Sequence, residues 1–248
     1  MIDQGILDTV RSAVCGVGRF LAHPDHIQTD PTHPRLEIIG TGFLIDNTTV
    51  ITNRHVVQDL HKLIKGRRIP PSWEFLHFVY PTLAGWQAAY QKIRGEGIVH
   101  HALLDIAFLE FDRPQAPGFE KCQPQDFGDL ALLRVSQPVA AVGYPHGEDL
   151  LMRGKEQYRF GPVLQRGYIS AISPLDNVPG GAVEELLLDL RAAEGMSGSP
   201  IFIPASGKVV GMLTSGWVGS RLVTTSNAIP IGANEAGDLL AEYKRAKG

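Results

Sequence analysis

The stretch Gly40–Val57, GTGFLIDNTTVITNRHVV, decides the fold class. Two runs rich in β-branched and aromatic residues, Thr41–Ile45 and Thr49–Thr52, flank the turn-forming pair Asp46-Asn47, which is the pattern of a β-hairpin. The same punctuation continues outward from it. In the second half, Val139–Val142, Gly167–Ile172, Glu185–Leu190, Ile201–Ile203, Val209–Leu213 and Leu222–Ile229 read as strands separated by Gly, Pro and Ser, enough for a sheet that closes on itself. With 27 Gly and 17 Pro interrupting short apolar runs in 248 residues, a mostly β protein is expected. Leu103–Phe111 reads as a buried strand that ends before Arg113-Pro114 and encloses Asp105. The segment 59–97 is less regular. Leu60, Leu63 and Ile64 suit a helical turn, Pro70-Pro71 ends it, and Glu74–Tyr80 looks extended, so an elaborated loop with one or two strands is expected. The Pro-, Gln- and Gly-rich stretch 113–130 is read as the boundary between two halves, 1–118 and 119–248. Only the tail, Ala233–Lys247, has helical spacing, with Ala236, Leu239, Leu240 and Tyr243 on one face and a basic last turn.

Hydrophobic residues make up 44% of the chain and charged residues 20%, which suits a packed globular body and excludes a disordered polymer. The formal charge is −3, and no basic block stands out beyond Lys65, Arg67 and Arg68, so nucleic acid is not an expected partner. No run approaches the ~18 unbroken apolar residues of a membrane span. The N-terminus opens with acid and lacks the basic and apolar regions of a secretory signal, so a cytoplasmic protein is expected. Cys15 and Cys122 read as buried or idle thiols rather than a disulfide. His23, His26 and His33 with Asp25 and Asp30 could be read as metal ligands. Their segment is broken by Pro and lacks Cys or an HExxH helix, so neither metal nor cofactor is expected. His100-His101 reads as exposed loop, and Trp73, Trp86 and Tyr90 as a satellite cluster or a border of a cleft.

Three residues put reactive groups where ordinary packing does not favour them. Ser197 lies in Glu194–Pro200, EGMSGSP, where flanking glycines permit a tight turn that exposes the hydroxyl and aims the N–H groups of Gly195 and Ser197 into one concavity. A serine hydroxyl is a weak nucleophile and needs a base within about 2.6–3.2 Å. His55 follows the hairpin, and its imidazole, projecting from a strand end, suits that base. Asp105, among Leu103, Leu104, Ile106 and Ala107, needs a donor such as the His55 Nδ1–H to stay ionised. Taken singly, each has an ordinary explanation as a turn, a structural histidine or a capped carboxylate. Their combination, in the order His, Asp, Ser, carries the argument.

TNRHVV around His55, LLDIAFLEF around Asp105 and GMSGSPIF around Ser197 resemble the signature blocks of the trypsin/chymotrypsin-like serine peptidases, nearest the bacterial HtrA/Do and glutamyl-endopeptidase branch. The likeness extends to VAAVGYPHG at 139–147, RGYISAI at 166–172 and NAIPI at 227–231, and covers residues 38–58 and 99–240. It implies two six-stranded β-barrels with an active-site cleft between them, to which the C-terminal helix read from its own spacing is added. It also implies a serine endopeptidase working through an acyl-enzyme: Ser197 as nucleophile, His55 as base, Asp105 orienting His55, and the Gly195 and Ser197 N–H groups as oxyanion hole. Thr214, Ser215 and Gly216 match the strand that pairs with substrate.

Three departures qualify the likeness. Met196 replaces the Asp that orders the oxyanion loop in trypsin-type zymogens, and Ile-Val-Gly-Gly is absent, so that order must come from elsewhere. The residues present match a peptidase core without a PDZ domain. Arg191 stands where trypsin has its pocket-floor Asp, with Ala192 and Leu213 at other pocket positions. A small to medium apolar P1 residue is therefore expected, with acidic P1 as rival if Arg191 points inward. The implied partner is a peptide or protein substrate, and a regulatory partner stays open. The competing reading is a silent peptide-binding module of the same fold, in which 59–97 or 173–183 blocks the site or leaves the oxyanion hole collapsed.

Overall fold

The computed structural model describes residues 2–21, 36–62, 70–83, 85–145, 161–174, 183–218 and 224–248. The opening hairpin is formed by β2 (Leu36–Leu44) and β3 (Thr49–Thr52), with Phe43 opposite Ile51 and Leu44 opposite Val50. Asp46 makes the turn by accepting the Thr48 N–H at 2.8 Å, as the short carboxylate of a turn residue does. Around this hairpin β1 (Val14–Phe20), β4 (Glu74–Thr82), β5 (Gly85–His100) and β6 (Ala107–Phe111) close a six-stranded antiparallel barrel in the order β1-β2-β3-β6-β5-β4. A second closed barrel is built from β7 (Pro138–Gly143), β8 (Val163–Ser173), β9 (Glu185–Asp189), β10 (Pro200–Phe202), β11 (Val209–Val218) and β12 (Thr224–Pro230). Closure leaves no long open sheet edge among the described residues, which removes the usual hazard of strands pairing with other chains.

Alternation along the strands builds three cores from one pattern. Leu44, Val50, Leu76 and Leu109 point into the first barrel with Phe78, Phe111 and Phe119. Their neighbours Phe43, Ile51, Phe75 and Phe108 point outward, into a seam shared with Ala140, Val142, Tyr144, Phe202, Val209 and Met212 of the second barrel. Val139, Ala141, Ile169, Leu186, Leu188, Ile201 and Val210 fill the second barrel. Strands buried on both faces explain why several read as unbroken apolar runs instead of alternating ones.

Helices cover the seam. The tail forms α3 (Ala233–Lys247) as expected, with Ala236, Leu239 and Tyr243 buried. Although it follows the second barrel in sequence, it packs on the first: Tyr243 stacks on Phe108 with ring centroids 5.0 Å apart and donates to Glu110, which also receives Lys247. The N-terminal helix α1 (Gln4–Ser12) was not expected. Asp3 caps it by accepting the Ile6 N–H at 3.2 Å, and Leu7 and Val10 pack into the seam. Gly5, Thr9 and Val10 weaken its propensity, so tertiary packing supplies what the local sequence does not.

The segment 59–97 departs most from expectation. Leu60 ends a helix and Glu74–Tyr80 is extended, as expected, but the strands are longer than expected and form one regular hairpin of the barrel, β4–β5, paired from Phe75↔Lys92 to Thr82↔Gly85. β5 is mostly exposed, with Ile93 and Gly97 as its buried positions, so it lacks the apolar alternation that marks a strand. Tyr90 on this hairpin lies edge-on to Phe75 at 4.9 Å, in the seam's aromatic cluster, whereas Trp86 is exposed. Cys15 and Cys122 are both free and buried, as expected. Burial raises the Cys15 thiol well above its ordinary range and pushes Cys122 up to about 12, so both stay as thiols. The candidate metal set at 23–33, the residues Leu63, Ile64, Lys65, Arg67 and Arg68, and positions 175–182 lie outside the described residues.

Candidate active site

His55 is not at a strand end, as its sequence context suggested, but in the first turn of a short helix, α2 (Arg54–Leu60), which leaves β3 through Asn53. A helix start exposes N–H groups with no partner in the helix, and Asn53 makes no side-chain cap here. Asp105 supplies the cap from another part of the chain. Its Oδ1 accepts the His55 backbone N–H at 3.0 Å and its Oδ2 lies 2.7 Å from His55 Nδ1. One carboxylate thus fixes both the backbone and the ring of His55.

Asp105 is likewise not inside a buried strand. β6 begins at Ala107, and Asp105 sits in the bend before it, with its side chain 38% exposed and Leu103 and Leu104 facing solvent. Partial burial alone would raise its pKa. The hydrogen bonds from the His55 ring and backbone, with the charges of His55 and Arg54, outweigh that and hold the carboxyl below its ordinary range. An ionised carboxylate only accepts, so Nδ1 carries a ring proton, and in the neutral form of the ring Nε2 is left with its lone pair. The bend is tied to the helix start by Asn53 Nδ2, which donates to the Asp105 carbonyl at 3.1 Å, and by Arg54, which donates to the Leu104 carbonyl.

Ser197 comes from the second barrel but is anchored on the first. Its carbonyl accepts the N–H of Thr41 in β2 at 2.8 Å. A Cβ on Gly40 would lie 2.6 Å from Val56, the neighbour of His55, and 3.2 Å from the Ser197 carbonyl, so only glycine lets these two elements meet on β2. Gly198, at φ +88°, lies so close to the Thr41 carbonyl that any side chain would collide with it. The His55–Asp105 pair is therefore formed and the Ser197 turn stands beside it. The Ser197 hydroxyl itself donates to the Thr214 carbonyl at 3.1 Å rather than to His55. Thr214 offers that carbonyl because it is the extra residue of a β-bulge: Leu213 pairs with Ala228 and Ser215 with Asn227, leaving Thr214 unpaired between them.

The order that an Asp would give a zymogen's loop has a different source here. Met196 is fully buried in the second barrel's core, and its N–H donates to the Ala193 carbonyl at 3.0 Å. Thr41, also fully buried, donates its hydroxyl to the Gly195 carbonyl at 2.7 Å and accepts the Tyr144 N–H at 3.0 Å. Gly195 takes φ +88°, a conformation that favours glycine. The N–H groups of Gly195 and Ser197 donate to no acceptor among the described residues.

Of the residues expected to line a pocket, Arg191 is exposed and Ala192 half-buried. The Ser226 hydroxyl staples their segment by donating to the Leu190 carbonyl and accepting the Ala192 N–H. Leu213 is fully buried in the second barrel's core, so it backs the site instead of lining an open pocket. β10 pairs with β11 as far as Met212, and the Leu213 N–H then donates to the carbonyl of Ser199, just before β10, at 2.9 Å. Beyond it, Thr214–Gly216 have no strand partner on that side among the described residues. Sequence reasoning missed Thr41 and Asn53, whose signal, GTG before the hairpin and Asn before His55, is too short to read alone.

Residues 40–212 match the model of the trypsin-like peptidase domain family. Among curated relatives, the chain is 24% identical to "Protease Do-like 4, mitochondrial" of Arabidopsis thaliana over 82% of its length and 33% of that protein's. It is 29% identical to "Serine protease Do-like HtrB" of Bacillus subtilis over 67% of its length and 30% of that protein's. The chain thus spans about a third of the length of these relatives. Two solved structures share the fold. Deg5 has a TM-score of 0.55 at 18% identity, covering 96% of this chain and 90% of the other. A serine-to-alanine mutant of Rv3671c from M. tuberculosis, in an inactive form, has a TM-score of 0.58 at 15% identity, covering 100% and 97%.

Proposed function

Because the chain belongs to the trypsin-like peptidase domain family, we propose that it is a serine endopeptidase acting through an acyl-enzyme, with Ser197 as nucleophile, His55 as base and Asp105 as the group that orients it. The observation that carries this reading is the double grip of Asp105 on His55, at 3.0 Å to the backbone N–H and 2.7 Å to Nδ1. It presents Nε2 as a base in one orientation. The step requires the Ser197 hydroxyl to exchange the Thr214 carbonyl for His55 Nε2, and the hydrogen bond given up is worth only about 1 kcal/mol. Ser197 Oγ then attacks the peptide carbonyl carbon while its proton passes to Nε2. The carbonyl oxygen, now negative, takes the N–H groups of Gly195 and Ser197 as donors. The C–N bond breaks, the amine leaves with the proton from His55, and water hydrolyses the ester by the same steps in reverse roles. The unpaired edge of Thr214–Gly216 suits a substrate strand added by backbone hydrogen bonds.

A second reading, a peptide-binding module without catalysis, is favoured by one observation: the Ser197 hydroxyl bonds to Thr214 and not to His55. Covalent labelling by a fluorophosphonate separates the two. Stoichiometric labelling that disappears in Ser197→Ala supports the enzyme. A chain that binds peptides yet never labels, at any pH at which it is folded, supports the binder.

A further inference from the structure

The bend 101–106 that carries Asp105 is anchored at its far end by Ile106, fully buried in the seam, and beside His55 by the bonds from Asn53 and Arg54. At its crest Leu103 is 87% exposed and Leu104 40%, so no apolar burial fixes that part of its path, and the two ends of the bend are joined by the His101 N–H donating to the Ile106 carbonyl at 3.0 Å. The interior of the bend is organised by a side chain. The N–H groups of Leu103 and Leu104 both donate to Nδ1 of His101, at 3.1 and 3.0 Å. An imidazole nitrogen that accepts carries no proton, so the ring proton of His101 lies on Nε2. That atom is 3.1 Å from Glu242 Oε2 on α3, and the His101 side chain is only 11% exposed. His101, expected from the sequence to be solvated loop, instead joins the C-terminal helix to the bend. The helix is itself fixed on the strand just after the bend, by Tyr243 against Phe108 and by Tyr243 and Lys247 on Glu110.

We propose that His101, held by Glu242 in the tautomer whose Nδ1 accepts, is a positioning residue that sets the Asp105 carboxylate against His55, so that α3 governs the competence of the site. The catalytic consequence rests on the hydrolytic reading above. The placement of Asp105 does not.

The test uses the full chain and two readouts. The first is the downfield proton resonance of the His55 Nδ1–H bonded to Asp105, which requires no turnover. The second is the second-order rate of fluorophosphonate labelling. His101→Ala removes the acceptor and is expected to broaden or abolish the downfield proton and to slow labelling about ten- to hundred-fold, as misplacement of a catalytic group by an ångström does. His101→Asn restores an acceptor that reaches the N–H groups two and three residues on, and is expected to recover both signals. Glu242→Ala, at a side chain 41% exposed and so of small consequence for folding, is expected to act in the direction of His101→Ala. It decides the matter if His101→Ala does not fold. Unchanged signals in His101→Ala and Glu242→Ala, failure of His101→Asn to restore them, or no downfield proton in the native chain would overturn the proposal. A native chain that shows the proton but never labels refutes hydrolysis while the proton still decides the role of His101.

Discussion

Thr41→Val is the sharpest probe of how the loop that carries Gly195 and Ser197 is ordered. Valine keeps the β-branched shape and the methyl group of threonine, so the strand and its packing are retained and only the hydroxyl is lost. That hydroxyl makes two buried hydrogen bonds, to the Gly195 carbonyl at 2.7 Å and from the Tyr144 N–H at 3.0 Å. Thr41 is fully buried, so water cannot replace it without a rearrangement. A buried polar group left without a partner costs about 1–3 kcal/mol, and two of them cost about 2–6 kcal/mol. Set against a usual total stability of about 5–15 kcal/mol, the variant should fold but be much less stable, unless the Gly195 peptide turns away to find solvent. That peptide lies between the two N–H groups proposed as oxyanion donors, so such a turn would shift them and part of the loss would pass from stability to activity. Urea unfolding monitored by tryptophan fluorescence, run beside fluorophosphonate labelling, measures both parts. Thr41→Ser, which keeps the hydroxyl, should keep most of the labelling rate. A Thr41→Val chain with native stability and native labelling would refute the claim that this hydroxyl holds the loop.

Asp105→Asn keeps the shape of the cap but favours the wrong tautomer of His55, and hydrolysis of a peptide ester or amide should fall about 10⁴-fold; a loss under tenfold would count against the orienting role. His77 is buried and desolvation lowers its pKa from 6.5 to about 4, so below the ordinary value the unfolded chain takes up a proton that the folded chain refuses. Stability from this group is fully present above pH 6.5 and is lost as the pH falls to about 4, a change of about 3 kcal/mol. Denaturant midpoints across that window should show the slope in the native chain and a shallower one in His77→Phe. For P1, a substrate library should select small to medium apolar residues, with acidic residues as the outcome if Arg191 turns inward; a clear Lys or Arg preference defeats both.

The strands of the second barrel and the Gly40–Val57 hairpin were legible because their signals are local: β-branched runs, Gly and Pro between them, and Asp46 at a turn. The three candidate residues were legible for a similar reason, since each carries its own short context. Their local settings were not. His55 is in a helix because β3 ends before Asn53 and a carboxylate fifty residues away caps the turn beyond it. Asp105 lies in a bend and not a strand because its carboxylate is needed at that cap while Leu103 and Leu104 find no core to enter. β5 was hidden because a mostly exposed strand has no apolar rhythm to show.

Residue order by itself determined the strand-rich architecture and named the imidazole, carboxylate and hydroxyl, since backbone preference and side-chain chemistry are properties of short segments. The tertiary structure decided what holds them: Thr41 of the first barrel on Gly195 of the second, and Glu242 of the last helix on His101 beside Asp105. Those partners are more than a hundred residues apart, and a hydrogen bond depends on position in space, which no local stretch of the chain specifies.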